Sequence, residues 1–418
     1  MNILIIGSGG REHALVWRIS RSIDNHNIWT ANGNAGTDLI STNVDVNPLN
    51  TEEIIRLAQN LNIDLVVVGP ETPLASGLVD SLYNVGIPAF GPSKAAAQIE
   101  SSKSFARQII TDAQIPGPEY HTFSDPSLAL SFIEKTECPL VIKADGLAAG
   151  KGVLICMDQP SARAAVITTM SDHIFGSAGD TIVIEEFLSG PEVSVFAFSD
   201  GTSISKPIAA CDYKRVGDGD KGPNTGGMGS YTQPRFWSDD LENQIMTDIM
   251  EPTIRTLAER NIPYKGVLYA GIMLTQSGPQ VLEFNCRLGD PEAQVILPLL
   301  ESDPLKVMES CVNGSLDKMI VKWNENPHVG VVMTSGGYPE KYEVGNTIKG
   351  LESETPNSLV FHAGTTHNPN TGEIVTAGGR VLTVVGWGES IADAKSNAYN
   401  RVDTIYFDGF NYRTDISD

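Results

Sequence analysis

The chain has 418 residues, of which 41% are hydrophobic, so at about 150 residues per domain it can bury roughly two or three separate cores. Its 29 basic and 51 acidic residues give a net charge of −22, which is the wrong sign for a protein that follows a nucleic-acid backbone. An anionic ligand must therefore be met locally, by backbone N–H groups, a few basic side chains and a metal ion.

Cysteine and histidine usage argues against structural zinc. The five cysteines include no C-x-x-C pair, and the seven histidines show no H-E-x-x-H spacing. The amino-terminal stretch lacks the basic and long apolar regions of a signal peptide, and no run approaches the ~18 apolar residues of a membrane span. We expect a cytoplasmic protein with no nucleic-acid or membrane partner, either a monomer or a small homo-oligomer.

Residues 1–100 alternate short apolar strands with helical stretches, a pattern typical of a doubly wound α/β unit with a parallel sheet. A further helical pattern runs from Ser93 to Ala113, and the proline-rich stretch 115–118 ends it at a boundary or hinge. The predicted strands are residues 3–6, 28–31, 65–68 and 88–90, and the clearest helix is 52–60.

The remaining chain divides into an α+β block that ends at residue 322 and a strand-rich tail that ends in a helix from Ser390. The tail is expected to form a small third domain. The strands predicted in the block are 140–144, 181–186, 271–274 and 280–285, and those in the tail are 329–334, 358–362 and 380–385.

Two glycine-rich loops resemble nucleotide-binding motifs, but each departs from the sequence that its motif requires. In the first, 7–12, the third glycine of a dinucleotide fingerprint would fall at Glu12, and the second strand ends without an acid for a ribose. It is either a tight strand-to-helix turn or a loop that offers N–H groups and Arg11 to one phosphate. The second, 146–152, has one residue too few for a Walker A loop and lacks its Ser or Thr, but it suits a flexible flap over phosphates.

Strand 280–285 carries the strongest chemical signal. Its alternation puts Glu283, Asn285 and Arg287 on one face, and a carboxylate with an amide oxygen suits magnesium. The alternative is a half-exposed strand with a polar side in water. Lys143, on strand 140–144, is a candidate phosphate contact or a surface lysine. The carboxylates and peptide groups of 185–192 either contact adenine and ribose or form a solvated turn.

The order of these features resembles the ATP-grasp signature, with Lys103, Lys143, the acidic segment 185–192 and the E-x-N-x-R pattern at 283–287. More narrowly, the chain is similar throughout to the phosphoribosylamine–glycine ligase family. The segments that carry this narrower resemblance are 7–14, 69–71, 91–94, 143–152, 214–229, 288–292 and 377–381.

The resemblance implies an N-terminal doubly wound domain (1–100), a central ATP-grasp domain (101–322) with a mobile small subdomain at about 118–190, and a β-rich C-terminal domain (323–418). It implies ligation of glycine to 5-phosphoribosylamine through glycyl phosphate, giving glycinamide ribonucleotide, ADP and phosphate in purine biosynthesis. ATP would be the co-substrate and Mg²⁺ or Mn²⁺ the cofactor.

Site residues follow by the same resemblance. Glu283 and Asn285 would bind the metal, and Gly271 stands where many relatives carry a third acid. The ATP contacts would be Lys103, Lys143, Gly150, Lys151, Glu185, Glu186 and Leu188, with Glu192 on the ribose. A loop carrying Gly226, Gly227 and Gly229 would close over the acyl phosphate, which Arg287 would steady. The phosphoribosyl contacts would be Gly9, Gly10, Arg11, Glu71, Asp290 and Arg380.

Three rival functions stay open at this point. An ATP-grasp carboxylase would phosphorylate bicarbonate with the same metal strand, and only dependence on glycine separates the two. A nicotinamide-dependent oxidoreductase is suggested by the first loop alone. A nucleotide sensor without turnover would not need the full set of lysines and metal ligands.

Overall fold

The first part of the chain forms a parallel sheet with a hydrophobic core on each face. The computed structural model describes residues 1–148 and 150–418. Its first elements are β1 (Asn2–Gly7), α1 (Gly10–Ile19), β2 (Asn27–Asn32), β3 (Thr42–Val44), α2 (Thr51–Asn60), β4 (Leu65–Val68), α3 (Glu71–Ser76), α4 (Leu78–Asn84), β5 (Ala89–Phe90), α5 (Lys94–Ser101) and α6 (Lys103–Asp112). The strand order is β3-β2-β1-β4-β5 and every pairing is parallel, so the predicted doubly wound sheet is confirmed.

Alternation along β1 explains the two cores. Leu4 and Ile6 point into a core with α2 and α4, whereas Ile3 and Ile5 point into a core with α1. A strand that is buried on both faces reads as a continuous apolar run, which is why β1 and β4 are visible in the sequence. β3 has three residues, too few to show any period, and the sequence pattern does not reveal it.

The helical pattern predicted from Ser93 to Ala113 is two helices that meet at Ser102. This residue is extended, and its hydroxyl accepts a hydrogen bond from the N–H of Phe105 as the N-cap of α6. The N–H of Lys103 then donates to the carbonyl of Asp145 at 3.0 Å, and Ser104 donates to the Asp145 carboxylate at 2.6 Å. The break therefore docks the start of α6 on the chain just after residue 144.

Residues 120–186 form a small antiparallel sheet with a core of its own. Its elements are β6 (Tyr120–Phe123), α7 (Pro126–Ile133), β7 (Leu140–Ala144), β8 (Val153–Cys156), α8 (Gln159–Val166) and β9 (Ile182–Glu186), and the strand order is β6-β9-β7-β8. Ile142 and Ile184 pack against Val166 and Met170 in a cluster separate from the others.

An eight-stranded antiparallel sheet runs through the rest of the chain in the order β16-β15-β10-β11-β14-β17-β21-β18. Its elements and their neighbours are β10 (Glu192–Asp200), β11 (Ile208–Asp212), β12 (Arg215–Gly217), β13 (Lys221–Asn224), β14 (Gly229–Thr232), α9 (Asp239–Ile245), α10 (Glu251–Glu259), β15 (Lys265–Thr275), β16 (Gly278–Asn285), α11 (Glu292–Ile296), α12 (Pro304–Asn313), β17 (His328–Thr334), β18 (Ser358–His362), β19 (Thr365–His367), β20 (Ile374–Thr376), β21 (Arg380–Trp387) and α13 (Ile391–Val402). The strands of the C-terminal part thus continue the central sheet through the β14–β17 pairing. None of the helices in the described part of the chain has the length and apolar character that a membrane crossing requires.

A histidine contact joins the N-terminal and C-terminal parts. The N–H of His362 on β18 donates to Nδ1 of His13 on α1 at 2.8 Å, so this nitrogen must be unprotonated. Burial, together with the charge of nearby His362, lowers the pKa of His13 to about 3. Burial also lowers the pKa of His362, to about 4. Acid therefore opposes this contact.

We predict that His13→Asn makes the fold less sensitive to acid. The folded-state pKa of His13 lies below the unfolded value of about 6.5, so its contribution to stability is present above that pH and is lost as the pH falls. At pH 5 the wild-type loss from this residue is about 2 kcal/mol. Urea unfolding at pH 7 and pH 5 measures it. The same change at exposed His121 serves as control, and an equal acid loss in His13→Asn and wild type would contradict the prediction.

Candidate active site

A buried ion cluster joins the small sheet to the large one. Glu185, at the end of β9, is 2% exposed and accepts a forked contact from Arg107 of α6, at 2.6 Å from Nε and 2.7 Å from Nη2. Nζ of Lys143 on β7 lies 2.8 Å from the same carboxylate and donates to the carbonyl of Leu282 at 2.9 Å. Arg107 also donates to the carbonyls of Val281 and Leu282 on β16.

Opposite charges within this cluster counteract the effect of burial on the pKa values of Glu185 and Lys143. Burial alone would raise the pKa of Glu185, but Lys143 and Arg107 hold it below its ordinary value. Burial lowers the pKa of Lys143, although Glu185 works against that shift. Lys143 is 5% exposed, so the surface-lysine alternative is wrong. The Glu185 carboxylate contacts both cations, and its expected contact with adenine stays a prediction.

Arg107 is a site residue that the sequence analysis missed. It lies one helical turn after Lys103, and this spacing is the signal that could have revealed it. Its guanidinium reaches the small sheet through Glu185 and the large sheet through two carbonyls. It therefore fixes the position of β9 relative to β16.

Glu283 and Asn285 lie on one face of β16, as predicted. Glu283 stands opposite Gly271 of β15, and a Cβ built on Gly271 would lie 3.4 Å from Cγ of Glu283, so the missing side chain makes room beside the carboxylate. Nζ of Lys103 is 3.3 Å from Oε2 of Glu283. Burial would raise the pKa of Glu283, but Lys103, Lys214 and Lys143 hold it well below its usual range. The carboxylate is charged at neutral pH.

The donor set fits a hard divalent cation. A carboxylate and an amide oxygen on adjacent same-face positions are ligands that magnesium accepts, with its other positions left to water and phosphate oxygens. No cluster of three or more Asp, Glu, His or Cys residues suited to a metal occurs in residues 1–148 and 150–418. Glu283 and Asn285 would thus offer two oxygen ligands, with water and phosphate oxygens as the others.

The other residues predicted to bind ATP differ in their exposure. Glu192, the first residue of β10, forms an ion pair with Lys214. Glu186 is exposed and its N–H already donates to the carbonyl of Glu119 at 3.0 Å, while Leu188 is half-buried. The two predicted flap residues, Gly150 and Lys151, are exposed between β7 and β8, and Ala149 lies outside the described residues.

Asp212, at the end of β11, is a second residue that the sequence analysis missed. Burial raises its pKa to about 7 against the opposing effect of Lys214, with the nearby carboxylates Glu292, Glu192 and Glu283 contributing to the rise. Glu292 is 3% exposed and accepts a hydrogen bond from the hydroxyl of Tyr269 at 3.0 Å. The group of carboxylates around Asp212 therefore favours a bound cation.

The predicted phosphoribosyl residues come together from three parts of the chain. Arg11 of α1 lies 3.9 Å from Glu71 of α3, measured from Nη1 to Oε2, and donates to the carbonyl of Leu288 at 3.2 Å. Arg380 of β21 lies 3.3 Å from Oδ1 of Asp290. A Cβ built on Gly9 would lie 3.3 Å from Oδ2 of Asp290, so the first glycine loop packs against this carboxylate.

Glu12 corrects the expectation for the first loop. Its carboxylate is buried, contacts Nε of Arg11 at 2.6 Å and accepts the N–H of Gly9 at 2.7 Å. The Gly9 N–H is thus used inside the protein rather than offered to a phosphate. Gly10 begins α1, and a Cβ on it would strike the Gln294 amide at 2.4 Å, so its glycine is required by packing.

Arg287 lies between the metal-ligand candidates on β16 and the predicted phosphoribosyl residue Glu71. Its Nη2 is 2.9 Å from Glu100 of α5 and its Nε is 3.3 Å from Glu71. Burial works against its charge, but Glu100 and Glu71 raise its pKa above the ordinary value. Glu100 is a third residue that the sequence analysis missed, and its only signal is an acid on a buried helix face.

The glycine-rich loop packs against these same groups. Nη1 of Arg380 donates to the carbonyls of Gly226, at 2.5 Å, and Asp290, at 2.7 Å. Gly227 has a positive φ of 109°, and a Cβ there would lie 2.4 Å from Pro291. Gly229 is not a loop residue as expected, because it begins strand β14 and pairs with Val331.

Three domain models of one protein family match most of the chain. Residues 1–100 match the family described as phosphoribosylglycinamide synthetase, N domain, residues 101–293 match its ATP-grasp (A) domain, and residues 328–418 match its C domain. A phosphoribosylamine–glycine ligase of Yersinia pestis is 45% identical over 420 residues, which are 100% of this chain and 98% of the relative. One from Caldanaerobacter subterraneus is 44% identical over 417 residues, covering 100% and 99%.

Solved structures are similar as well. The phosphoribosylamine–glycine ligase of Thermotoga maritima matches with a TM-score of 0.85 and 32% identity, over 99% of this chain and 100% of that one. A biotin carboxylase of Campylobacter jejuni matches with a TM-score of 0.73 but 15% identity, over 98% of this chain and 92% of that one. The second is a likeness of fold alone.

We predict that Arg107→Met destabilises the protein by about 3–5 kcal/mol, because the buried carboxylate of Glu185 loses its forked partner. Denaturant unfolding followed by fluorescence measures the loss. Arg163→Met is the matched control, since Arg163 and Glu134 form an ion pair in the same small subdomain at 3.4 Å with side chains 57% and 67% exposed. The control should change stability by less than about 1 kcal/mol, and equal losses in both variants would contradict the prediction.

Proposed function

Because the chain belongs to the phosphoribosylglycinamide synthetase family, we propose that it is an ATP-dependent ligase that joins glycine to 5-phosphoribosylamine in purine biosynthesis. The products are glycinamide ribonucleotide, ADP and phosphate. One observation carries the proposal: the Glu283 and Asn285 strand runs within five residues into Asp290, which Arg380 contacts. The residues that would bind the nucleotide and metal and those that would bind the sugar phosphate thus belong to one cleft.

The chemistry requires activation of glycine. A carboxylate does not condense with an amine in water because its oxide is a poor leaving group. Transfer of the γ-phosphoryl group of ATP to that carboxylate gives glycyl phosphate, whose phosphate leaves readily. The amine of 5-phosphoribosylamine then attacks the carbonyl and expels phosphate.

The residues divide this work by position. Lys103 and Lys143 face the phosphates, and Glu283 and Asn285 would hold Mg²⁺ or Mn²⁺, which offsets phosphate charge when bound. The carboxylates around Asp212 favour the ammonium group of glycine. Gly150, Lys151, Glu186, Leu188 and Glu192 border the nucleotide, and Gly226 and Gly227 exclude water from the acyl phosphate.

The phosphoribosyl group belongs at the other end. Arg11, Glu71, Asp290 and Arg380 are close together there, and Arg287 lies between them and the metal strand. Arg380 is the phosphate contact in this proposal, since hydrogen bonds to Nη1 leave its other nitrogens for a ligand. The proposal includes a cytoplasmic location, which five free cysteines support.

The rival functions are less well supported. Relatives at 44–45% identity over the full chain are ligases, whereas the carboxylase resemblance at 15% identity concerns the fold. In the first glycine loop, Glu12 fills the position of the third glycine and binds the Gly9 N–H, which argues against a dinucleotide site.

An oxygen-18 experiment tests the proposed function. If glycine is activated as an acyl phosphate, glycine labelled in its carboxylate delivers one labelled oxygen to inorganic phosphate in each turnover. ADP release is measured in parallel with each substrate left out in turn. Labelled AMP, unlabelled phosphate, or ADP release that ignores glycine would overturn the proposal.

We expect Glu283→Gln to abolish turnover while the protein stays folded, because the metal loses its charged ligand on β16. ADP release at increasing magnesium concentration measures this, with circular dichroism to check the fold. The same substitution at exposed Glu52 on α2 is the control and should leave the rate unchanged. Near-normal activity at saturating magnesium would remove Glu283 from the metal site.

We expect Arg380→Ala to raise the KM for phosphoribosylamine far more than the KM for ATP or glycine. A charge-assisted hydrogen bond to phosphate contributes roughly 1.5–3 kcal/mol, so a rise of about tenfold to a hundredfold should follow. Steady-state kinetics with each substrate varied in turn measures it. Equal changes in all three constants would instead indicate that Arg380 acts by holding the Gly226 carbonyl.

A further inference from the structure

The hairpin β12–β13 leaves the cleft directly after Lys214 and forms a two-stranded sheet of its own. Its second strand, Lys221–Asn224, is exposed along its length. An isolated two-stranded hairpin is at best marginally stable in water, so something outside the hairpin must hold it in place. The contacts that do so come from residues 413–417, which we call the C-terminal clasp.

Arg413 is the centre of the clasp. Its side chain is 1% exposed, and Nε and Nη2 form a fork on the two oxygens of Asp415, each at 2.7 Å. Nη1 donates to Asp220 at 2.8 Å and to the carbonyl of Arg215 at 3.1 Å. One guanidinium thus binds its own segment, the turn of the hairpin and its first strand.

The rest of the turn is bonded to the clasp as well. Thr414 donates to Asp218 from its N–H at 2.9 Å and from its hydroxyl at 2.6 Å. The N–H of Gly219 donates to Asp415 at 2.8 Å. All three residues of the turn therefore contact the C-terminal clasp.

The clasp also contacts the base of the same segment. The Arg413 guanidinium carbon lies 4.6 Å from the ring centroid of Tyr213, and the N–H of Ser417 donates to the Tyr213 hydroxyl at 2.8 Å. Ile416 is fully buried, and a Cβ built on Gly229 would lie 2.7 Å from its Cδ1. Both ends of residues 213–229 are thus in contact with the C-terminal clasp.

The chemistry of these contacts indicates that they fix the position of the hairpin and do not only stabilise the fold. An apolar side chain would dock the end of a chain as well as a buried ion pair does, because the pair must first be desolvated. A guanidinium fork instead fixes distance and orientation. Arg413 touches Tyr213 and Arg215, the two neighbours of Lys214, which pairs with Glu192 in the cleft.

We propose that Arg413 is a positioning residue for the ligase reaction, which holds Lys214 and the glycine loop at the cleft through the β12–β13 hairpin. This inference rests on the proposed function for its catalytic meaning, but the restraint of the hairpin does not. The C-terminal clasp keeps residues 213–229 in a fixed position, so this segment is a wall of the cleft in place before substrate arrives.

The test compares Arg413→Lys and Asp220→Asn with a matched buried arginine. Arg401 is 4% exposed and binds the carbonyls of Gly350 and Leu351, far along the chain from the hairpin, so Arg401→Lys controls for lost packing in the C-terminal part. Each variant is measured for kcat, for the thermal midpoint, and for the rate at which a lysine-specific protease cuts after exposed Lys221 in the folded full-length protein.

We expect Arg413→Lys to lower kcat about tenfold to a hundredfold, the range that a displacement of about 1 Å can cause, and to speed cleavage at Lys221. Asp220→Asn should shift both in the same direction, and Arg401→Lys should change neither at a similar thermal shift. Wild-type kcat and cleavage in Arg413→Lys, or an equal loss of kcat in Arg401→Lys, would overturn the proposal.

Two further outcomes are decisive. If Arg413→Lys does not fold, Asp220→Asn decides, because the Asp220 side chain is 71% exposed and its change leaves the core intact. If the wild-type protein shows no glycine-dependent ADP release, the proposed function fails, whereas the cleavage rates at Lys221 still support or refute the restraint by Arg413.

Discussion

The buried carboxylate of Glu185 imposes the constraint on which the cleft depends. A carboxylate taken out of water costs several kcal/mol unless cations and hydrogen bonds compensate, so Arg107 and Lys143 must both reach it. Each of these cations also bonds the backbone of β16. Four elements from different parts of the chain, helix α6 and strands β7, β9 and β16, thereby meet beside Leu282, one residue before Glu283. Strand β16, which carries Glu283 and Asn285, is held in position because the buried cations Arg107 and Lys143 bond its backbone carbonyls.

The same principle extends along the cleft. In a chain of net charge −22, Arg287 is paired with Glu100 and Glu71, and Arg413 with Asp415 and Asp220. A site that must handle several anionic ligands can in this way be built inside an acidic protein, with its positive charge confined to the cleft.

The sequence was informative where a side chain's role depends on its own strand or helix. Alternation placed Glu283 and Asn285 on one face, and the apolar run of β4 was predicted with its bounds unchanged. It was uninformative where the role depends on a distant partner. Arg107 and Glu185 are 78 residues apart, and no local period reveals their contact. The Ser93–Ala113 pattern failed for a local reason, since Ser102 suits a helical period and an N-cap equally well.

The continuous eight-stranded sheet has a consequence for how the protein is made. Strand β14 pairs with β17, and β17 pairs with β21, which leaves the ribosome after both. Until residues 328–334 emerge, β14 is an open sheet edge with unsatisfied backbone groups, and β17 is the next open edge until 380–387 follow. Nascent chains that pause between these points expose a template for pairing with other chains. Synthesis of residues 233–387 is thus the interval in which a chaperone would protect this protein most.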